Sequence, residues 1–280
     1  MASHLIQGRR VDIPVEIRDA TACGATYLVR ADAARAVLAY SGMDVTEVVP
    51  GKAACTLVFA RYRESGLEAF HEFGVTFLVR PPDAGSPPPR SPLAGVRDIR
   101  GAGFGAFVHW LPVDREFALE AGRALWGFPR ELADIDVRLD TPYKRCILRK
   151  DGRLVIDLLI RPGMPVPALG IPGGFGNRHN NRHSDTHSAA DRGRRDDKLG
   201  GRRGDGIEMD VYSHRDGVTR RVPWTLRPRG VRTRLGGALI RLGNHPVAKE
   251  LSELGLPKRA LVTSSISRLT MSVGEASPEL

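Results

Sequence analysis

The sequence predicts a single α+β domain over residues 1–280, built mainly of antiparallel strands with a few short helices. Three observations carry that expectation. Short apolar runs rich in Val, Ile, Thr and aromatics recur along the chain, broken by Gly, Pro and Asp, as strands are. Helical patterns are few and do not alternate regularly with those runs, which disfavours a doubly wound sheet. A hydrophobic content of 41% is enough for a real core.

Taken in order, the strand-like runs are ATYLV, CTLVFARY, FGVTFLV, GAFVHWLPV, CILRK, LVIDLLI, MDVY, ALIRL and ALVTSSI. The first helix is ADAARAVLAYSG (31–42), Ala-rich with a Gly stop. DREFALEAGRALWG (114–127) is the second; Asp114 is positioned to cap it, and Phe117, Ala121 and Leu125 share one face. HPVAKELSELG (245–255) is the third, opening near a Pro and ending at Gly. PPDAGSPPPRSPL (81–93) reads as an exposed Pro-rich loop.

Residues 171–206 break the pattern. This insert has almost no large apolar residues and mixes charges, Gly and His, so it is expected to be disordered and of low complexity. Its composition resembles GC-rich coding sequence read in a shifted frame between two compensating shifts. His179, His183 and His187 are four apart, but helix formers are lacking and no carboxylate stands at the HExxH position, so no metal site is expected.

Composition limits the function classes. No apolar run approaches the roughly 20 residues of a membrane helix, and the N-terminus lacks a secretory layout. Cys23, Cys55 and Cys146 form neither a disulfide framework nor a metal spacing. The expectation is a cytoplasmic protein without a membrane partner. The net charge of +10 is spread along an aromatic-poor chain. It reads as a solvated Arg-rich surface rather than a nucleic-acid site. No P-loop or GxSxG is present, and GAGFGAF (101–107) reads as a glycine-containing strand or bulge.

One stretch stands apart: GRALWGFPREL (122–132), two aromatics and a Pro followed by Arg130-Glu131. Its surroundings, VDREFALEAGRALWGFPREL, resemble the active-site segment of the acetoacetate decarboxylase family, with Gly122-Arg123 and Pro129 at matching places. YLVRADAARAVL (27–38), SGLEAFHEFGVTFLV (65–79) and RLGNHPVAKELSELGLPKRALVTSS (241–265) are similar to further family segments, and Glu72 falls on a family active-site glutamate. The resemblance implies the family's cone-shaped β-barrel and a homo-oligomer.

It also implies a departure. In the family, the first Lys after the Pro forms a Schiff base with a β-keto acid, and the second Lys lowers its pKa. Those positions here hold Arg130 and Glu131. A guanidinium stays protonated and is no nucleophile, so the imine cannot form there. A second family glutamate falls by ungapped counting on Leu57, and the family's early arginine has no counterpart.

The candidate catalytic residues are therefore Arg130, Glu72 and Glu131. Arg130 would hold a carboxylate or enolate and Glu72 would move a proton. Glu131 either takes part or pairs with Arg130. Arg123, Trp126 and Phe128 are candidate substrate-binding residues; the two aromatics could equally be core, and Arg123 suits the C-terminal dipole of its helix. The implied ligand is a small keto acid or carboxylate, with no cofactor. The two function classes are a lyase acting without a Schiff-base lysine and a non-catalytic binding protein for a carboxylate or apolar metabolite.

Overall fold

The computed structural model describes residues 2–82, 105–165, 206–256 and 258–279. The expected Pro-rich loop and the 171–206 insert, with its histidines, lie almost wholly outside these residues. The chain opens with β1 (Ala2–Ile6) and β2 (Arg9–Ile13), a hairpin whose Gln7-Gly8 turn has both φ values positive, as a tight hairpin turn requires. Then come β3 (Val15–Arg30), α1 (Ala31–Leu38), β4 (Glu47–Val49), β5 (Lys52–Ser65), β6 (Phe70–Val79) and β7 (Gly105–Val113). Helix α2 (Glu116–Trp126) leads into β8 (Arg130–Leu132), β9 (Asp134–Arg138), β10 (Lys144–Lys150), β11 (Arg153–Ile160) and β12 (Met164–Pro165). Finally β13 (Ile207–Arg215), β14 (Val218–Leu235), β15 (Ala238–Leu242), α3 (Pro246–Glu253), β16 (Val262–Val273) and β17 (Ser277–Pro278) complete the order.

Seven strands pair into a closed ring. β14 pairs β13, β13 pairs β7 in parallel, and β7, β6, β5, β3 and β16 follow antiparallel until β16 pairs β14 again. Such closure removes exposed edges. Alternation along each strand then sorts side chains into two cores. One cluster, including Val15, Ile17, Tyr62, Leu111 and Met271, draws on strands all around the ring and therefore lies inside it. The β1–β2 hairpin adds Ile6, Val11 and Ile13, and α2 adds Phe117, Leu125 and Trp126. The other cluster covers the outside, where Leu57, Phe59 and Phe73 meet Cys146, Leu148, Ile156 and Leu158 of the four-stranded sheet β15-β11-β10-β9. Helices α1 and α3 pack on that outer core through Ala34, Leu38, Ala248 and Leu251.

The predicted runs fall on strands throughout, and each predicted helix is present. Two details differ. Asp114 does not cap α2: the N-cap is Arg115, without a side-chain bond. Asp114 instead accepts from the backbone N–H of His71 at 2.7 Å and lies 2.7 Å from its Nδ1. The hydrogen bonds offered by His71 draw the carboxylate away from the helix. The second difference is β14, the longest strand, whose Pro223 and Pro228 interrupt any strand-like run. Among the described residues β13 pairs β14 only up to Leu226, and β16 pairs it only from Trp224 onward. Each proline thus has one side on which its missing N–H leaves no ladder bond unmade.

Candidate active site

The sequence from Gly122 to Leu132 builds the site through a helix stop. Gly127 takes φ +65°, and its N–H bonds Arg123 O at 3.1 Å while Phe128 N–H bonds Gly122 O at 3.1 Å. This is the glycine-terminated helix end that closes the last carbonyls. Trp126 is fixed by its Nε1–H on Gly274 O (2.9 Å), and Ser213 Oγ donates to Trp126 O (2.8 Å). The chain then reverses onto β7, with Arg130 opposite Leu111 in parallel pairing.

Alternation along β8 decides the rest. Arg130 points inward and is only 5% exposed. Its Nη2 donates to Glu72 Oε2 at 2.7 Å and its Nη1 to Ala118 O at 2.5 Å. Tyr62 Oη donates to Glu72 Oε1 at 2.9 Å. Burial, then the adjacent Glu72 charge, pushes the Tyr62 phenol well above its ordinary pKa, so it stays a proton donor. The Phe70 and Phe128 rings lie 5.4 and 5.8 Å from the guanidinium carbon, near enough for a cation–π contribution. Gly122 is what lets Arg130 lie against α2: a Cβ there would stand 2.3 Å from Arg130 Cδ.

These residues surround a cavity of ≈ 20 Å³ lined by Glu72, Arg130 and Tyr62 among Phe70, Trp126, Phe128 and Trp224. That volume admits about one water.

Of the residues expected to form the site, Arg130, Glu72, Trp126 and Phe128 come together at this cavity. Glu131 does not. It faces the outside of the ring, ion-paired to Lys150 and accepting from Trp110 Nε1 at 3.1 Å. Its pairing with Arg130 is replaced by these contacts because successive strand residues point to opposite faces. Burial pushes the Glu131 carboxyl up, but the bonds from Lys150 and Trp110 outweigh it and hold it below its ordinary value. Arg123 also stays out of the cavity, its Nε donating to Arg130 O at 2.9 Å. Leu57 faces the outer core, so β5 brings no carboxylate inward there. Opposite Glu72 on β5 stands Ala60, and Tyr62 lies two residues on. Sequence reasoning missed Tyr62 and Trp224. Tyr62 ends the run CTLVFARY, but only the β5–β6 register brings it to Glu72.

A closed ring of strands with an ion pair and a small cavity in its interior defines a β-barrel protein. The acetoacetate decarboxylase (ADC) family profile matches residues 7–277. The chain belongs to the acetoacetate decarboxylase family. Solved structures share its fold. Acetoacetate decarboxylase from Legionella pneumophila matches with TM-score 0.61 at 15% identity, covering 95% of this chain and 87% of that one. The enduracididine biosynthesis enzyme MppR complexed with pyruvate matches with TM-score 0.56 at 14% identity, over 95% and 90%. An acetoacetate decarboxylase-like enzyme from Sphingomonas wittichii matches with TM-score 0.54 at 14% identity, over 100% and 99%. No curated protein matches the sequence. Among the described residues, no helix is long and apolar enough to cross a membrane.

Proposed function

We propose that this member of the acetoacetate decarboxylase family acts on a small keto acid by acid–base chemistry, without forming an imine. The observation that carries this reading is the buried Arg130–Glu72 pair, 2.7 Å apart inside the ring, where the family resemblance calls for a nucleophilic lysine. A buried ion pair of this kind costs desolvation that apolar residues of similar size would not incur, which favours a functional reason for it. The pyruvate complex of MppR, on the same fold, suggests the ligand size and class.

In this reading the substrate carboxylate takes the place of Glu72 on Arg130, in the bidentate manner guanidinium groups favour. The pair has to open for this, since the cavity has room for about one water. Glu72, freed from its cation, is then the carboxylate available as general base. It removes a proton from the carbon beside the keto group, giving a neutral carboxyl and an enolate, and then returns a proton to that carbon. Tyr62 keeps one Glu72 oxygen oriented throughout. Trp126 and Phe128 form part of the apolar wall, and the Glu72 carboxyl trades its proton with solvent before it returns one to carbon.

Solvent exchange tests this. Pyruvate incubated with the protein in D2O should lose its methyl proton signal, and Glu72→Gln and Arg130→Gln should each slow the loss at least a hundredfold, the scale of general acid–base catalysis. No exchange by the wild-type chain above background would overturn the proposal. A non-catalytic barrel that holds a carboxylate or an apolar metabolite is the second reading, favoured by the largely apolar lining of the cavity. Tight binding of pyruvate without exchange would select it.

A further inference from the structure

We infer that Trp224 donates the hydrogen bond that receives the substrate's keto oxygen, an inference that rests on the keto-acid reading of the Arg130–Glu72 site. The chain has three tryptophans. Trp110 Nε1 donates to Glu131 and Trp126 Nε1 to Gly274 O. Trp224 Nε1 is buried and has no acceptor among the described residues. A buried N–H left unmade carries the full cost of its desolvation, so its retention beside a cavity points to an acceptor that arrives with the ligand.

The placement puts Trp224 on the same cavity as the ion pair, so a molecule admitted when the pair opens would meet both. Trp224 lies on β14 opposite Val273, and both residues line the cavity that holds Arg130 and Glu72. Phe128 forms a shared wall: its ring centre is 6.1 Å from that of Trp224, nearly perpendicular at 84°, and 5.8 Å from the Arg130 guanidinium carbon. Arg130 would hold the carboxylate and the indole N–H the oxygen one carbon away. An indole N–H is a donor only and takes no part in proton transfer. Its role is to stabilise negative charge as it gathers on the keto oxygen during enolate formation. An apolar ligand, or a carboxylate with no oxygen on the adjacent carbon, would leave this donor unmade. The substrate class is therefore a short 2-oxo acid.

Calorimetry with pyruvate and with acetate, on wild type, Trp224→Phe and Arg130→Gln, separates the claims. Trp224→Phe keeps an aromatic ring and removes the N–H. It should weaken pyruvate binding about tenfold, leave acetate unchanged, and lower kcat for exchange more than it raises KM. In wild type, the Trp224 indole N–H resonance should move downfield with pyruvate and not with acetate, a readout that needs no variant. Equal pyruvate affinity in Trp224→Phe, or an unmoved resonance at saturating pyruvate, overturns the Trp224 assignment alone. If Arg130→Gln retains both ligands, the site reading falls with it. Failure of the wild type to bind either ligand overturns both.

Discussion

Gly122 shows most directly how one position serves the site. It stands inside α2, where Ala would ordinarily stabilise by about 0.5–1 kcal/mol. Yet a Cβ there would meet Arg130 at 2.3 Å from Cδ and 2.5 Å from both Nε and Nη1. Gly122→Ala should therefore destabilise the protein, by about 1–3 kcal/mol, and should slow pyruvate exchange as Arg130 is displaced. Urea unfolding reads the sign; a gain in stability would show that Arg130 is free to move aside. At this scale the sequence was informative about identity and weak about direction. Arg130 was legible as the altered position. That Glu131 turns away to Lys150 follows from strand alternation, but only once β8 is known to be a strand. Tyr62 and Trp224 carried no local signal, because what makes them matter is a neighbour far along the chain.

Elements were legible where one face is buried. GAFVHWLPV coincides with β7 and ALIRL with β15, each an apolar run with a single polar residue, His109 and Arg241. β14 was not, since four exposed arginines (Arg227, Arg229, Arg232 and Arg234) and two prolines hide its ladder. The second sheet depends on charge in a way that pH can probe. Asp157 on β11 accepts from Arg145 Nε and Nη2 at 2.8 and 2.7 Å, and Arg241 on β15 lies 3.4 Å away. The Arg145 hydrogen bonds hold its carboxyl below the ordinary value of 3.8, against the opposing effect of burial. A depressed folded pKa means this stability is present above the unfolded value and lost as pH falls through the folded one. Asp157→Asn should cost about 2 kcal/mol at pH 7. The gap in urea midpoint between wild type and variant should narrow at pH 3. A gap that stays constant would place the stabilisation elsewhere.

The whole molecule is a ring whose closure depends on pairings no local pattern contains: β13 with β7 in parallel, and β14 with β16 antiparallel. The strand-rich class could be read from apolar runs; which strand meets which could not, except through the family resemblance. Closure is what converts scattered residues into a site, bringing Glu72 of β6, Tyr62 of β5 and Trp224 of β14 around Arg130. The central claim is that a keto acid is handled here without an imine. Borohydride trapping in the presence of pyruvate or acetoacetate, read by intact mass, tests it most directly. The account predicts an unmodified mass under conditions where solvent exchange proceeds. A trapped lysine adduct would contradict it, including one at Lys258, whose ammonium is pushed below its ordinary value by burial and by the charge of Lys52.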